Sequence, residues 1–379
     1  MKIFHVADTH LGYSAYRRVS ADGINQREID TYEAFTKFVD YSIENKPDLI
    51  IHAGDLFDSV RPNNRAITFA IDQILRLSEK KIPFVVIAGN HEHPKLRETG
   101  HIFSIFDHLY NVYPVYSSSY ESIQFNIGKE KVTVHAVPQS SKKEDFENNL
   151  KQIKKDNSSN YNILMVHGSV RGIESFCMNE FNELIIPKKY LDSYFDYVAL
   201  GHFHKFSKVT EKAYYSGSTE CFSFNEAGEK KGFIQVELNN KKINPEFIQL
   251  KTRNVVDVPP VDCSNLTLNE VMNQIYRSIE NINPAGKVFR IILDAIPSHI
   301  FRGLDFSNIR KKCSDSIHFE IRPRNSTETY KNRNFGSKIN ALSDEFTRFI
   351  NENEIQDKDK LLALGLDYIK KIESKKEDK

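Results

Sequence analysis

Residues 2–10 read KIFHVADTH, an apolar run that stops in Asp8 and His10. The β-rich apolar residues predict a buried strand, and the polar pair stands at its carboxyl end. Side chains two residues apart lie on the same face of a strand, so Asp8 and His10 are predicted to point in one direction. A carboxylate beside an imidazole at a strand end is a typical beginning of a metal site.

Four further apolar runs end in the same way. They are DLIIHA before Gly54-Asp55, PFVVIA before Gly89-Asn90-His91, NILMV before His167-Gly168, and YVAL before Gly201-His202-Phe203-His204. In an α/β sheet, the groups that do chemistry gather beyond the carboxyl ends of the strands. The five fragments together therefore predict a site for two adjacent metal ions.

Each fragment supplies a side chain with a distinct chemical use. Two cations about 3.5–4 Å apart can orient a phosphodiester and lower the pKa of a shared water. Asp55 is the natural bridging carboxylate, and His202 and His204 are spaced to serve one ion each. Asn90 offers a neutral amide oxygen, which avoids repelling a phosphate. His91 is better placed as an acid, or as a clamp on transition-state charge, than as a ligand.

This mixture of carboxylate, imidazole and amide favours Mn, Fe or Zn over Mg. The sequence contains no Ser/His/Asp triad, P-loop or Gly-rich dinucleotide turn that would compete with the metal site. The other histidines are expected in packing, supporting or surface roles: His5, His52, His93, His101, His108, His135, His299 and His318.

Composition predicts a cytoplasmic globular protein. Of its 379 residues, 40% are hydrophobic and 27% are charged, which suits a main domain with one or two smaller units. No apolar run approaches the roughly 20 residues that span a bilayer. A strand begins at Lys2, so no signal peptide is expected. The cysteines, at 177, 221, 263 and 313, form no CxxC pair and are expected to be free thiols.

The order of elements predicts three segments. Residues 1–250 alternate strands with helices and then shorter β runs, which favours an α/β sandwich of two packed sheets flanked by helices. The segment VDVPP, at 256–260, is predicted to break regular structure and to open a small α+β domain at 255–330. Residues 336–375 read as two amphipathic helices joined by a short turn, which must dock on something to bury their apolar faces.

A local excess of positive charge marks the small domain. Between Arg302 and Arg333 there are eight basic residues against four acidic ones. Such an excess suits a phosphate backbone, and an unevenly charged solvated surface explains it equally well. The candidate nucleic-acid contacts are Arg302, Arg310, Lys311, Arg322 and Arg324.

The ordered pattern DxH, GDxxD, GNH, HG and GHxH resembles the calcineurin-like metallophosphoesterase superfamily. More narrowly, ADTHLGY, GDLFD followed by Arg61-Pro62, AGNHE and LGHFH resemble the Mre11/SbcD nucleases of DNA double-strand-break repair. The resemblance runs over essentially the whole chain. It implies an α-β-β-α metallophosphoesterase sandwich at 1–250, a DNA-capping domain at 255–330 and a C-terminal helix-loop-helix at 336–375.

The resemblance also implies site roles and two manganese ions per subunit. Asp8, His10, Asp55 and His204 would hold the first ion, while Asp55, Asn90, His167 and His202 would hold the second. His91 would assist the attack or the leaving group at the scissile phosphate. One departure is Asp58, which stands where the family usually has a His implicated in exonuclease chemistry. Whether Asp58 acts as a ligand or as a supporting residue stays open.

The implied partners are DNA, a Rad50/SbcC-type coiled-coil ATPase and a second copy of the chain, with no membrane. The candidate ATPase-binding residues are Ile339, Leu342, Phe346, Phe349, Leu362, Leu366 and Ile369. The candidate dimer helices lie around 67–75 and 102–109, where core packing explains the apolar spacing equally well.

The leading hypothesis is a manganese-dependent DNA nuclease that cuts double-strand ends, hairpins and single strands by two-metal hydrolysis. It would have both endonuclease and 3'-5' exonuclease activity. A small-substrate or protein phosphatase of the same superfamily is the first alternative, since it shares the metal site. A non-catalytic scaffold is the second, although such a protein should lack some ligands and none is missing here.

Overall fold

The computed structural model describes residues 1–94, 100–170, 184–191, 194–240, 242–324, 346–347, 350 and 358–377, with side chains of the last helix described to residue 368. The chain forms two compact units, Met1–Pro323 and Arg324–Lys379.

The strands and helices of the described residues follow in chain order. The strands are β1 (Lys2–Val6), β2 (Leu49–His52), β3 (Phe84–Ile87), β4 (Val112–Val115), β5 (Glu121–Ile127), β6 (Glu130–Val137), β7 (Tyr161–His167), β8 (Ser169–Val170), β9 (Ile185–Ile186), β10 (Tyr197–Gly201), β11 (Ser207–Lys208), β12 (Ala213–Tyr215), β13 (Gly232–Asn239), β14 (Lys242–Gln249), β15 (Val255–Asp262), β16 (Val288–Asp294) and β17 (His318–Arg324). The helices are α1 (Gln26–Asn45), α2 (Asn64–Glu79), α3 (Lys143–Gln152), α4 (Leu268–Ile282), α5 (Ser298–Gly303), α6 (Phe306–Lys312) and α7 (Lys358–Glu377).

Two six-stranded sheets build the first 250 residues. Their strand orders are β14-β13-β1-β2-β3-β4 and β11-β12-β10-β7-β6-β5. Strands β1 to β4 run parallel in the first sheet, as do β6, β7, β10 and β12 in the second. The carboxyl ends of β1, β2 and β3 therefore share one edge, and those of β7 and β10 share another.

Apolar faces on both sides of each sheet produce four layers. Ile3 and Ile51 of the first sheet pack against Ile163 and Met165 of the second. Helices α1 and α2 cover the outer face of the first sheet, and α3 covers that of the second. Strands with both faces covered read as continuous apolar runs, as β2 and β7 do. The predicted α-β-β-α sandwich is confirmed.

Strands β15, β16 and β17 form a separate sheet with its own core, to which α4 contributes Val271, Ile275 and Ile279. The prediction that VDVPP breaks regular structure is wrong, because β15 runs through it. β15 is an edge strand, and its register with β16 shifts between Val258 and Val261. Prolines are tolerated at edges and at such shifts, where no ladder hydrogen bond is lost.

The second unit contains α7, and Phe346 packs on it. A Cβ added to Gly365 would collide with the Phe346 ring, so the ring lies directly on the helix backbone. Among the predicted ATPase-binding residues, Phe346, Leu362 and Leu366 are half-buried. Ile339, Leu342, Phe349 and the side chain of Ile369 lie outside the described residues.

One of the two candidate dimer segments is not the helix that the sequence predicted. Residues 102–109 form only a short 3-10 helix, Ile102–Phe106, whose Phe103 and Phe106 are buried in the core. In α2, Ala70 and Ile74 are buried, while Leu75 is exposed. Within the described residues, no helix has the length and apolar character needed to cross a membrane.

Candidate metal centre

The strand ends of both sheets bring the seven predicted ligands together. Asp8 and His10 follow β1, Asp55 follows β2, Asn90 follows β3, His167 ends β7, and His202 and His204 follow β10. The backbones of Asp8, His10, Asp55 and His202 have positive φ, between 45° and 100°. Non-glycine residues adopt that region at a cost, and such strain concentrates at functional sites.

One group of donor atoms comprises Asp8, His10 and His204, all within 4.8 Å of one another. Nε2 of His10 lies 3.2 Å from Nε2 of His204. The Asp8 carboxylate is oriented by the backbone N–H of His202, which donates to its two oxygens over 2.9 and 3.1 Å. Two imidazole nitrogens and a carboxylate thus face the same small space.

A second group comprises Asp55, His167 and His202, again within 4.8 Å. The Asn90 amide oxygen joins it, 2.8 Å from His167 Nε2 and 3.1 Å from His202 Nδ1. Nδ1 of His167 donates to the Ala53 carbonyl over 2.9 Å, because a carbonyl oxygen can only accept. That bond fixes the orientation of the His167 ring.

Asp55 faces both groups with a single oxygen. Its Oδ2 lies 3.2 Å from His167 Nε2 and 3.9 Å from His10 Nε2. Its Oδ1 accepts the backbone N–H of His91 over 3.0 Å. If two cations were bound, Asp55 would be the carboxylate placed to contact both.

His91 lies at the more open side of the site, where its side chain is 35% exposed. Its Nδ1 donates to the Asp58 carbonyl over 2.9 Å, and its ring packs edge-on against His10. Its donor atom also lies within 4.8 Å of His10 and Asp55, so distance alone does not separate a ligand from an acid. The Asp58 carboxylate lies beside both histidines, since its Oδ1 is 3.3 Å from His10 Nδ1 and 3.9 Å from His91 Nδ1.

Burial and mutual contact shift the pKa values of the carboxylates and imidazoles at the site. Burial raises the pKa of Asp8 to about 6. Burial would also raise the pKa of Asp55, but His167 lowers it well below its usual range. His167 has the complementary shift, since burial lowers its pKa while Asp55 raises it to about 10. Burial lowers the pKa of His10 to about 4, which keeps its ring neutral. Buried carboxylates, an amide oxygen and a neutral ring match the ligands of a divalent transition metal.

Two carboxylates that support the site were assigned no role from the sequence. Glu92 is fully buried and accepts the backbone N–H groups of Leu56, Phe57 and Gly89, which ties the loop after β2 to the loop after β3. Burial raises its pKa well above the usual range. Its place in AGNHE was the signal that could have identified it. Glu226, beside His204, follows no apolar run and gave no such signal.

The predicted nucleic-acid residues lie on elements that contribute nothing to the two donor groups. Arg302 is on α5, Arg310 and Lys311 are on α6, and Arg322 and Arg324 are on β17. The first four are exposed, and Arg324 is half-buried. Their role stays a prediction.

Comparison with known proteins agrees with this geometry. Residues 1–206 match the Calcineurin-like phosphoesterase family. The chain is 31% identical over 316 residues to the "DNA double-strand break repair protein Mre11" of Methanocaldococcus jannaschii, which covers 76% of this chain and 77% of the relative. The chain belongs to the Mre11 family of calcineurin-like phosphoesterases.

Two further relatives carry the same name. That of Methanococcus maripaludis is 32% identical over 243 residues, covering 61% of this chain and 60% of the relative. That of Thermoplasma acidophilum is 31% identical over 259 residues, covering 65% of each chain. This Mre11-family chain is a metal-dependent phosphodiesterase, as its residue pattern predicted.

Proposed function

We propose that this chain is a manganese-dependent DNA nuclease that processes DNA ends in double-strand-break repair, with endonuclease and 3'-5' exonuclease activity. The observation that carries the proposal is the single Asp55 oxygen that faces two groups of metal donors. The relatives named as double-strand break repair proteins supply the substrate class.

In this proposal each subunit binds two manganese ions. Asp8, His10, Asp55 and His204 hold one ion, and Asp55, Asn90, His167 and His202 hold the other. The imidazole donors favour manganese over magnesium. When bound, the ions polarise the phosphodiester and acidify a water.

His91 acts on the substrate through one defined atom. Because its Nδ1 donates to the Asp58 carbonyl, the ring can gain or lose a proton only at Nε2. The partial exposure of His91 leaves it open to a substrate, whereas Asp8 and His167 are buried. His91 therefore protonates the leaving group or stabilises the charge that develops on the phosphate.

The partners belong to the same proposal. The exposed Arg302, Arg310, Lys311 and Arg322 of the small α+β domain hold the DNA backbone near the broken end. The apolar residues of the second unit bind a Rad50/SbcC-type ATPase, and the exposed Leu361 and Leu364 of α7 offer further apolar surface. The chain works as a homodimer in the cytoplasm of a prokaryotic or archaeal cell.

The test compares the manganese-loaded chain with a His91→Ser variant on hairpin DNA, circular single-stranded DNA and p-nitrophenyl phosphate esters. We expect the variant to lose cleavage while metal content and DNA affinity stay nearly unchanged. His93→Ser is the matched control, because His93 lies two residues away and contacts Ser141 instead of the donor groups.

Three outcomes would oppose the proposal. Normal DNA cleavage by a metal-loaded His91→Ser variant would show that His91 takes no part in the reaction. A preference for p-nitrophenyl esters by orders of magnitude would favour the phosphatase alternative. Manganese stoichiometry near zero would favour the scaffold.

A further inference from the structure

Glu226 lies outside the predicted ligand set yet touches one of its members. Its Oε1 lies 3.2 Å from Nδ1 of His204, on the side of the ring that faces away from the donor group. Glu226 follows the segment that matches the family. We propose that Glu226, held in place by Lys231, is a positioning residue that fixes the proton and the orientation of the His204 ring. This inference rests on the proposed metal-dependent function.

The Glu226 carboxylate is held on both oxygens. Oε1 accepts from the Ser223 hydroxyl over 3.1 Å in addition to His204. Oε2 accepts from the Phe222 backbone N–H over 3.2 Å and from Lys231 Nζ over 2.6 Å. A carboxylate with this many donors cannot rotate freely, so its direction toward His204 is set by the fold.

Lys231 connects this carboxylate to the backbone of the same histidine. Its side chain is fully buried, and Nζ also donates to the His204 carbonyl over 2.9 Å. Its remaining partner is Glu229, whose Oε2 lies 3.2 Å away. A buried ammonium is costly unless it is paired and hydrogen-bonded, so these contacts account for its burial. Lys231 thereby holds His204 at its backbone and, through Glu226, at its ring.

Phe222 packs against the His204 ring. Its aromatic ring packs edge-on against His204 and His10, with centroids 5.3 and 4.8 Å apart. Packing against an apolar ring restricts the rotation of both imidazoles and keeps water from their faces. His204 is thus restrained at its backbone, at Nδ1 and across its face.

The chemical consequence is a defined tautomer. An ionised carboxylate only accepts, so Nδ1 of His204 carries a proton and Nε2 is the nitrogen turned toward His10 and Asp8. A carboxylate partner also raises the basicity of the ligand nitrogen. His167 instead donates its Nδ1 proton to the neutral Ala53 carbonyl. Loss of Glu226 should therefore weaken the binding of the ion held by His204 and leave the binding of the ion held by His167 unchanged.

The experiment titrates manganese into the full-length apo-protein by calorimetry, without DNA. We expect Glu226→Ala to weaken one of two binding steps by about 10- to 100-fold and to leave the other at its wild-type affinity. Glu226→Gln keeps the side-chain volume and one acceptor oxygen, so its affinity at that step should lie between those of the wild type and Glu226→Ala. The matched control is Glu229→Gln, which removes another carboxylate from Lys231 but does not touch His204. It should bind both ions as the wild type does.

A second readout needs no variant. Nitrogen-15 spectra of the wild-type apo-protein should show His204 with a proton on Nδ1. The opposite tautomer would overturn the proposal even if Glu226→Ala failed to fold. Unchanged binding in Glu226→Ala, equal weakening of both steps, or an equal loss in Glu229→Gln would also overturn it. These measurements involve no DNA, so they fail or succeed separately from the nuclease assay.

Discussion

Replacing Gly201 with alanine adds one methyl group and should damage the candidate metal centre directly. Gly201 ends β10, and a Cβ added there would collide with the Ala53 carbonyl oxygen and lie 2.8 Å from His167 Nδ1. Its φ is not in the left-handed region, so space alone forbids a side chain. The Ala53 carbonyl is backbone and cannot swing away as a flexible side chain would.

Gly201→Ala should therefore force the ends of β10 and β2 apart. Inserting a methyl group into a packed core costs about 1–3 kcal/mol of folding free energy. The same shift breaks the bond from His167 Nδ1 to Ala53, and loss of a partner that orients a ligand lowers metal affinity by about 10- to 100-fold. We expect both effects together in the one variant.

The assay is urea unfolding of the apo-protein, followed by calorimetric titration with manganese. Gly303→Ala is the control, because its Cβ would approach only the end of the Leu268 side chain, at 3.3 Å. That variant should unfold and bind manganese as the wild type does. If Gly201→Ala matched the wild type in both measurements, the close approach of the two strand ends would not support the site.

Three further predictions concern other parts of the chain. Glu92→Ala should destabilise the protein by about 1–3 kcal/mol for each of the three backbone amides it leaves unpaired, and calorimetric unfolding should show a much smaller loss for Glu92→Gln. The unfolding free energy should fall as pH drops from 6.5 toward 3, because burial lowers the pKa of His5 from 6.5 to about 3 and only the unfolded chain takes up the proton. His5→Gln should flatten that slope in urea titrations, and an unchanged slope would assign it to other groups. Gly365→Val should push Phe346 off α7 and reduce ATPase capture while cleavage stays normal, whereas the exposed Ala363→Val should leave capture intact.

Local patterns predicted most of the elements. The apolar runs before Asp8, Asp55 and His167 are strands because each is continuous and buried on both faces. The prediction for VDVPP was wrong because the position of the strand in its sheet outweighed the local preference of proline. The prolines of VDVPP are accommodated because β15 is an edge strand, and edge position is a property of the sheet and not of the segment.

The candidate site likewise contains residues that local sequence predicts and residues that only the fold brings together. Asp8, His10 and His204 could be predicted as candidate ligands because each follows a strand end, where the chemistry of an α/β fold collects. Glu226 was not, because a loop residue gains a role only through what the fold places beside it.

The sequence by itself indicated the types of candidate metal-binding residues, their order and the architecture of two packed sheets, because these depend on residue chemistry and on short-range periodicity. Only the tertiary structure decided which Asp55 oxygen faces both groups, which ring nitrogen of His91, His167 and His204 is committed to a hydrogen bond, and that Lys231 contacts His204. Those facts depend on distances between atoms that are far apart in the chain, and the packing of the two sheets is what sets such distances.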